Sequence, residues 1–250
     1  MNKNSYYIYD KVSKIELVIY TDSSLSYPLH NHSSIFSIGI ILNGSIRLCK
    51  DGYSSVYTAG QIFIIPPYVP HALYSIGKAS LLTICINKNK ASEIDINKII
   101  NRIIFLYTKT FNLGSFSGTQ LLLLAENLSY CKHFSAYKSV TPQIKELQQI
   151  LEFSPEITIN IEKMAKSAYM SKYHFIRKFK KETGLTPHQF QIQNKIRKAQ
   201  RIFNNSENLA ELAIETGFFD QSHFIRYFKK IVGLTPSDYK KSFKIVSHTF

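Results

Sequence analysis

A stretch of fourteen residues occurs twice, almost unchanged, in the last third of this 250-residue chain. "HFIRKFKKETGLTP" spans residues 174–187 and "HFIRYFKKIVGLTP" spans residues 223–236, so the copies lie 49 residues apart and are identical at eleven positions. Two copies are too few for a solenoid, in which each unit buries its apolar face against the next one. The repeat therefore predicts a tandem pair of small structural units.

Each copy belongs to a pattern typical of a helix-turn-helix, in which a short helix, a tight turn and a second helix follow one another. In the first unit, at about residues 160–184, "IEKMAKSA" is the short helix, Ser171 is the N-cap and Gly184 ends the second helix. In the second unit, at about residues 209–233, "LAELAIETG" is the short helix and Asp220 is the N-cap. The second turn is one residue longer, an insertion that a turn absorbs easily.

The second helix of each unit has an aromatic face and an opposite polar face. At 100° per residue, Phe175 and Phe179 form a stripe in the first copy, and Phe224 and Phe228 form it in the second. A solvated amphipathic helix would explain one such pattern, but it does not explain two near-copies with matched basic faces. Because a helix fits the major groove and Arg, Gln and Ser read base edges there, the polar faces give the candidate DNA-binding residues. These are Lys172, Tyr173, His174, Arg177, Lys180, Gln221, Ser222, His223, Arg226 and Lys229.

The charge of the chain points to a polyanion as partner. Its formal net charge is +14, and the segment from Lys166 to Phe203 holds ten basic residues and one acid, Glu182. Part of that segment, "QFQIQNKIRKAQRIF", predicts a stiff helix at about residues 189–204, with Lys195, Arg197, Lys198 and Arg201 on its basic side. Such a spacer would let two recognition helices enter successive major grooves, about 34 Å apart, on one face of the DNA.

Residues 1–90 have a different pattern, with six short segments rich in β-branched and aromatic residues. The segments are "IELVIY", "SIFSIGIIL", "SIRLCK", "SSVYTA", "QIFIIP" and "LLTICI", and turn signals such as Asn43-Gly44, Asp51-Gly52 and Gly60 separate them. Short strands at intervals of about 8–12 residues predict a small sandwich or barrel.

Helical spacing begins near residue 91. Apolar positions within 94–107 predict one helix, and residues 119–131 predict a second that is apolar on most of its surface and must be buried in its own domain or against another subunit. Ser129–Thr141 has weak periodicity and is the predicted linker. The sequence thus predicts an α+β chain of two domains, with strands and flanking helices in 1–135 and only helices in 142–250.

The repeated region resembles the DNA-binding domain of the AraC/XylS family of bacterial transcription regulators. The resemblance covers about residues 142–241 and rests on "IEKMA…MSKYHFIRKFKKETGLTPHQF", "KIRKAQRIF" and "LAELAIETGFFDQSHFIRYFKKIVGLTPSDY". It implies two helix-turn-helix units on a linker helix, with base contacts from Tyr173, Arg177, Gln221, Ser222, His223 and Arg226. Ile176 departs from the pattern, because a polar side chain there would more readily read a base; it would instead contact a thymine methyl group.

The N-terminal region resembles the cupin-type effector domain that many of these regulators carry, through "PLHNH", Gly44 and "GQIFIIPPYVPH". A cupin barrel would bring His30, His32 and His71 together. Three imidazoles could hold Zn²⁺, Ni²⁺, Mn²⁺ or Fe²⁺, line an organic-ligand pocket, or serve as structural hydrogen-bonding groups. Metal-binding cupins usually add a Glu four residues after the second His, and Phe36 stands there. No paired acids, nucleophile elbow or Gly-rich phosphate loop indicates catalysis, so we expect a protein that is not an enzyme.

These observations together predict a cytoplasmic, sequence-specific transcription regulator that responds to an unidentified small-molecule effector. Its expected partners are double-stranded DNA, the effector, a second copy of the chain through the helices at 94–107 and 119–131, and RNA polymerase; no membrane is expected. Cys49, Cys85 and Cys131 are scattered and odd in number, which indicates reduced thiols. The alternatives are a regulator that senses a divalent metal through the three histidines, a regulator whose barrel only dimerises, and a cupin enzyme with a DNA-binding tail.

Overall fold

An eight-stranded sheet forms the N-terminal part of the molecule. The structure, a computed structural model, describes residues 5–50, 52–110, 112–133, 140–203, 206 and 208–246. The strands are β1 Ser5–Asp10, β2 Ile15–Ser23, β3 Ser26–His30, β4 Ile35–Lys50, β5 Tyr53–Thr58, β6 Ile62–Ile65, β7 His71–Asn87 and β8 Phe243–Val246. The strand order is β5-β4-β7-β2-β1-β8, with β3 paired to β7 and β6 paired to β4. The prediction of a β-rich domain is confirmed.

Two long strands, β4 and β7, contain three of the predicted short segments and one of the predicted turns. The Asn43-Gly44 pair does not end a strand, because β4 runs through it over 16 residues with a shift of register against β7 on each side of Asn43. Gly44 takes a left-handed φ of 75°, and a Cβ on it would lie 2.5 Å from the Lys78 carbonyl oxygen. The predicted turn is therefore a β-bulge, which bends the strand without ending it. The strand β7 likewise begins at His71, well before the predicted segment "LLTICI".

Short helices follow the sheet and cover part of it. They are α1 Lys88–Ala91, α2 Ile96–Ile104, a π-helical segment Phe105–Thr110, and α3 Gly118–His133. The second of these begins where Asp95 caps the backbone N–H of Lys98. Helix α3 buries Leu124 and Leu128 but leaves Leu122 63% exposed, so it is less buried than its apolar sequence predicts. Of the predicted linker, Ser129–His133 belongs to α3, and residues 134–139 lie outside the described residues.

Seven helices make up the C-terminal region, which confirms its predicted all-helical character apart from β8. They are α4 Pro142–Phe153, α5 Ile161–Ser167, α6 Lys172–Thr183, α7 Pro187–Ile202, α8 Leu209–Glu215, α9 Gln221–Val232 and α10 Pro236–Ser242. The predicted aromatic stripes form the cores, since Phe175, Phe179, Phe224 and Phe228 are all fully buried. None of the helices in the described ranges is long and apolar enough to cross a membrane.

The C-terminal region returns to the N-terminal sheet through β8, which the sequence analysis did not predict. This strand pairs in parallel with β1 from Tyr7↔Phe243 to Asp10↔Val246. The side chains of the second helix-turn-helix unit also share one apolar cluster with sheet residues such as Leu81 and Phe63. Because "FKIV" is only four residues long, its sequence gives no sign of the sheet edge that it joins.

A buried ion pair joins the first strand to the helices beside the sheet. Arg102 on α2 donates from Nη2 and Nε to the two carboxylate oxygens of Asp10, at 2.7 and 3.0 Å, and both side chains are almost fully buried. Breaking a buried pair leaves an uncompensated charge, which costs far more than breaking an exposed one.

We expect Asp10→Ala to lower the free energy of unfolding by about 3–5 kcal/mol, because the Arg102 guanidinium would stay buried without its partner. Urea denaturation measures the change. Lys78→Ala is the matched control, since Lys78 pairs with Asp22 on the exposed surface of the same domain, and its loss should stay under about 1 kcal/mol. Similar losses in the two variants would contradict the assignment.

Candidate nucleic-acid interface and interdomain cavity

The two recognition helices, α6 and α9, are built alike at both ends. Ser171 and Asp220 cap them by accepting hydrogen bonds from the third residue of each helix, His174 N at 3.3 Å and His223 N at 2.7 Å. Each helix ends at a glycine with a left-handed φ, 81° at Gly184 and 85° at the equivalent glycine 49 residues later. The local sequence signals therefore set the bounds of both helices as predicted.

The predicted DNA-binding residues lie on the outer faces of these helices. Nine of the ten are exposed: Lys172, Tyr173, His174, Arg177, Lys180, Gln221, Ser222, Arg226 and Lys229. His223 is half-buried and packs edge-on against Tyr227, with ring centroids 4.8 Å apart. Ile176, predicted to contact a thymine methyl group, is also half-buried, as is its counterpart Ile225. The outer faces are thus accessible enough to enter a DNA groove. The roles of the single residues on them remain predictions.

Several charges on the outer faces have no acid beside them. Among the ion pairs of the described residues, none includes Arg177, Lys180, Arg226 or Lys229, whereas Lys178 on the same helix pairs with Glu182 at 3.0 Å. Unpaired basic groups on an exposed face attract a polyanion over the distance of a Debye length, about 8 Å at physiological salt.

Helix α7 connects the two units, and two of its basic residues bind other parts of the protein. The helix begins with a capping box between Thr186 and Gln189 and is about 24 Å long at 1.5 Å per residue. Lys195 donates to the Gly217 carbonyl oxygen at 2.6 Å, and Lys198 pairs with Glu156 at 3.1 Å. The predicted basic spacer is present, but these two charges bind neighbouring parts of the chain.

A cavity of about 120 Å³ lies between the sheet, α7 and α9. On the sheet side Phe63, Ile65 and Leu81 form an apolar part of its wall, beside polar residues of the same strands. Towards α7 its wall is polar, where Gln193 and Arg197 line it. The residues of the sheet and of the helical region thus enclose one space. A molecule bound there would touch both regions.

The three predicted histidines meet at this cavity. The ring centroids are 4.2 Å apart for His30 and His71, 5.0 Å for His30 and His32, and 5.1 Å for His32 and His71. Burial lowers the pKa of His30 to about 4 and that of His71 to about 3, and burial together with the Arg197 charge lowers the pKa of His32 well below its usual value. All three imidazoles are therefore neutral at pH 7.

Hydrogen bonds determine which nitrogen of each ring carries the proton. His30 Nδ1 donates to the Pro28 carbonyl at 2.7 Å and His71 Nδ1 donates to the Val69 carbonyl at 2.9 Å, which leaves the Nε2 lone pairs of both rings free. His32 is different, because its Nδ1 faces Nη2 of Arg197, and a guanidinium only donates. His32 Nδ1 must therefore accept, and its Nε2 carries the hydrogen.

This arrangement does not fit a divalent metal. The possible ligand atoms of the three histidines lie within 4.8 Å of one another, but a cation needs a lone pair from each imidazole and His32 gives its own to Arg197. The guanidinium also places a positive charge beside the trio. Phe36, where metal-binding cupins usually have a Glu, is buried in a different cluster on the far side of the sheet.

Hydrogen bonds from the N-terminal region reach the same point on each recognition helix. The carbonyl oxygen of Val232, the last residue of α9, accepts from the hydroxyls of Tyr7, Tyr27 and Tyr20 at 2.9, 3.3 and 3.4 Å. The carbonyl oxygen of Thr183, the equivalent residue of α6, accepts a hydrogen bond from Asn31 Nδ2 at 2.9 Å. Because the last carbonyls of a helix have no partner within it, these side chains complete both helix ends.

The sequence analysis missed the residues that join the two regions. Asn31 stands between the two histidines of "PLHNH", and it also exchanges hydrogen bonds with Gln193 on α7 through its backbone N–H at 3.1 Å and its side-chain oxygen at 2.8 Å. Arg197 was noted only as one of several basic residues of the spacer helix. A weak signal existed in the 16 tyrosines of the chain, since tyrosines that are buried usually need a hydrogen-bond partner.

Comparison with known proteins identifies both regions. A family model described as "Cupin domain" matches residues 17–87, and one described as "Helix-turn-helix domain" matches residues 164–242. The uncharacterized HTH-type transcriptional regulator YbfI of Bacillus subtilis is 25% identical over 222 residues, which cover 78% of this chain and 80% of YbfI.

Solved structures of ToxT from Vibrio cholerae share the whole fold. The crystal structure of ToxT from strain O395 matches with a TM-score of 0.61 at 12% identity, over 93% of this chain and 98% of ToxT. A structure of ToxT bound to an unsaturated fatty acid, from strain SCE256, matches with a TM-score of 0.59 at 13% identity, over 94% and 98% of the two chains. The cupin domain, the tandem helix-turn-helix units and these relatives agree with the resemblance of the chain to the AraC/XylS family of transcription regulators.

Proposed function

We propose that this regulator reads one duplex DNA site with α6 and α9 together, and that a small molecule in the interdomain cavity controls how the two helices are held. The observation that carries the proposal is the duplicated outer face, on which equivalent positions 49 residues apart expose Arg177 and Arg226 without acidic partners. Arginine is the side chain that most often makes bidentate contacts to guanine in the major groove.

We expect Arg177→Ala and Arg226→Ala each to weaken binding to the specific site by about 1–3 kcal/mol, because each removes one base-reading contact. The site is selected from random duplexes with the wild-type protein, and affinity is measured by fluorescence anisotropy at fixed salt. Lys78→Ala, on the exposed surface of the sheet, is the control and should bind as wild type does. Wild-type affinity in both arginine variants would contradict the assignment of the outer faces.

The cavity supports a small organic acid as effector. Arg197 supplies a fixed positive charge inside it, and Glu16, whose pKa burial raises, lines the same space. Phe63 and Leu81 offer an apolar wall for the body of the ligand. At about 120 Å³, the space is close to that of an apolar cavity of about 150 Å³ that holds benzene. The fatty acid in one ToxT structure is a carboxylic acid as well, although it has a longer body.

Binding there would act on both recognition helices. A carboxylate on Arg197 would compete with His32 for the guanidinium, and Arg197 lies on α7, the helix that joins the two units. The hydrogen bonds from Asn31 to Thr183 and from Tyr27 to Val232 surround the same space. If the effector binds one arrangement of the helices more tightly than another, it shifts the equilibrium towards that arrangement. The size of the shift equals the difference in binding free energy.

We expect small apolar carboxylic acids that bind the cavity to raise the melting temperature of the wild-type protein but not that of Arg197→Gln, because the variant lacks the cavity charge. A ligand present at 100 times its Kd adds about 2.7 kcal/mol to stability, which a thermal-shift screen detects. Arg201→Gln, on the same helix with an exposed side chain, is the matched control and should keep the shift. An equal shift in all three proteins would place the acid outside the cavity.

The remaining parts of the proposal concern the setting in which the regulator acts. We infer that the cavity binds an effector and does not catalyse a reaction, since it lies between the sheet and the DNA-binding helices. A homodimer through α3 is supported by the exposure of Leu122 and Tyr130 on that helix, and it would let the protein bind two half-sites. We also propose RNA polymerase as a partner and a cytoplasmic location, which the role of such regulators in transcription supports.

A further inference from the structure

Tyr169, in the turn of the first helix-turn-helix unit, has an unusual backbone and no packing partners. Its φ is 53°, in the left-handed region, and its side chain is 99% exposed. A bulky residue in that region costs about 1–3 kcal/mol of strain. Since almost none of the ring is buried, contacts within the protein do not offset this cost.

The second unit shows that the turn does not require a side chain here. Gly217 is the equivalent residue, with a φ of 79°, because the residue after each makes the same hydrogen bond: Met170 N to the Ala165 carbonyl at 2.9 Å, and Phe218 N to the Ala213 carbonyl at 2.8 Å. Glycine takes this conformation without the steric cost. In the second unit the glycine is also needed for space, since a Cβ there would lie 2.7 Å from the Glu156 Cα. The first unit has no such crowding at its exposed tyrosine, and it keeps that residue in a conformation that glycine would adopt without strain.

We infer that Tyr169 is a DNA-contacting residue, whose hydroxyl donates to a backbone phosphate while its ring packs on the adjoining deoxyribose. The inference rests on the proposed DNA binding by α6. Tyr169 lies two residues before Ser171, the N-cap of α6. In helix-turn-helix proteins the N-terminal residues of the recognition helix contact base edges, which brings the preceding turn to the edge of the groove, beside the phosphates.

The charges around Tyr169 favour DNA over a protein as its partner. Lys163, Lys166 and Lys172 are all exposed on the helices on either side of the turn, and although Lys166 pairs with Glu162 at 3.5 Å, the surface stays net basic. In the second unit, the positions equivalent to Lys163 and Lys166 are Glu211 and Ile214. A basic surface with one exposed aromatic ring fits a phosphate backbone, whereas the acidic and apolar surface of the second unit does not. The inference therefore concerns the first unit alone.

The test is the variant Tyr169→Gly, measured on the selected duplex without RNA polymerase. We expect affinity to fall about tenfold, the size of one charge-assisted hydrogen bond with a ring contact. The fall should be similar on a random duplex, because phosphate contacts carry no sequence information. The melting temperature should stay the same or rise, since the left-handed strain is relieved. Tyr169→Asn should lose as much affinity, because asparagine also tolerates this conformation but has no ring. Tyr169→Phe should lose less.

Two controls separate the possible failures. Tyr53→Ala removes a tyrosine that is 80% exposed on the sheet and should leave DNA affinity unchanged. Wild-type affinity in Tyr169→Gly, while Arg177→Ala loses binding, would overturn this inference and leave the proposed function standing. Wild-type affinity in both variants would overturn the two together. A lower melting temperature in Tyr169→Gly, or a loss seen only in transcription with purified RNA polymerase, would assign the ring to the fold or to a protein partner and would also overturn it.

Discussion

The carbonyl groups at the C-terminal ends of α6 and α9 are the points on which the rest of the structure depends. Three tyrosine hydroxyls donate to the Val232 carbonyl, and Asn31 donates to the Thr183 carbonyl. These bonds complete the two helix ends, where the helix dipole is negative, with donors from another region of the chain. Gly184 and Gly233 pack there too, since a Cβ on either would collide with Pro70 or approach the Tyr27 hydroxyl to 2.9 Å.

The same contacts support the proposal that the cavity and the DNA-binding faces act together. The segment from Tyr27 to His32 lies against both recognition helices, and it also carries two of the three histidines of the cavity. In the proposed mechanism, a ligand that shifts this segment would act on both helices through these contacts. The buried rings at the cavity are neutral and His32 accepts from Arg197, so an acid that takes the guanidinium would alter a contact between the two regions directly.

Much of the fold follows from local sequence. The helix bounds at Ser171, Gly184 and Asp220 came from capping rules, and the buried stripes came from the 3.6-residue period, because both depend only on neighbours along the chain. The prediction of a turn at Asn43-Gly44 was wrong, because the conformation of that pair depends on a distant segment of the chain. Whether that pair forms a hairpin or a bulge depends on the partner strand β7, which supplies a continuous ladder on both sides of it.

The sequence by itself determined that this protein carries two near-identical helix-turn-helix units with exposed basic faces, and it predicted that His30, His32 and His71 meet in one cupin-like domain. The local periodicity and the family resemblance were sufficient for that. Only the tertiary structure decided what the histidines face, because Arg197 lies 165 residues beyond His32 in the chain and its donor fixes the proton of that ring. The same holds for Asn31 and β8, whose partners are distant segments that meet only after the sheet and the helices have packed.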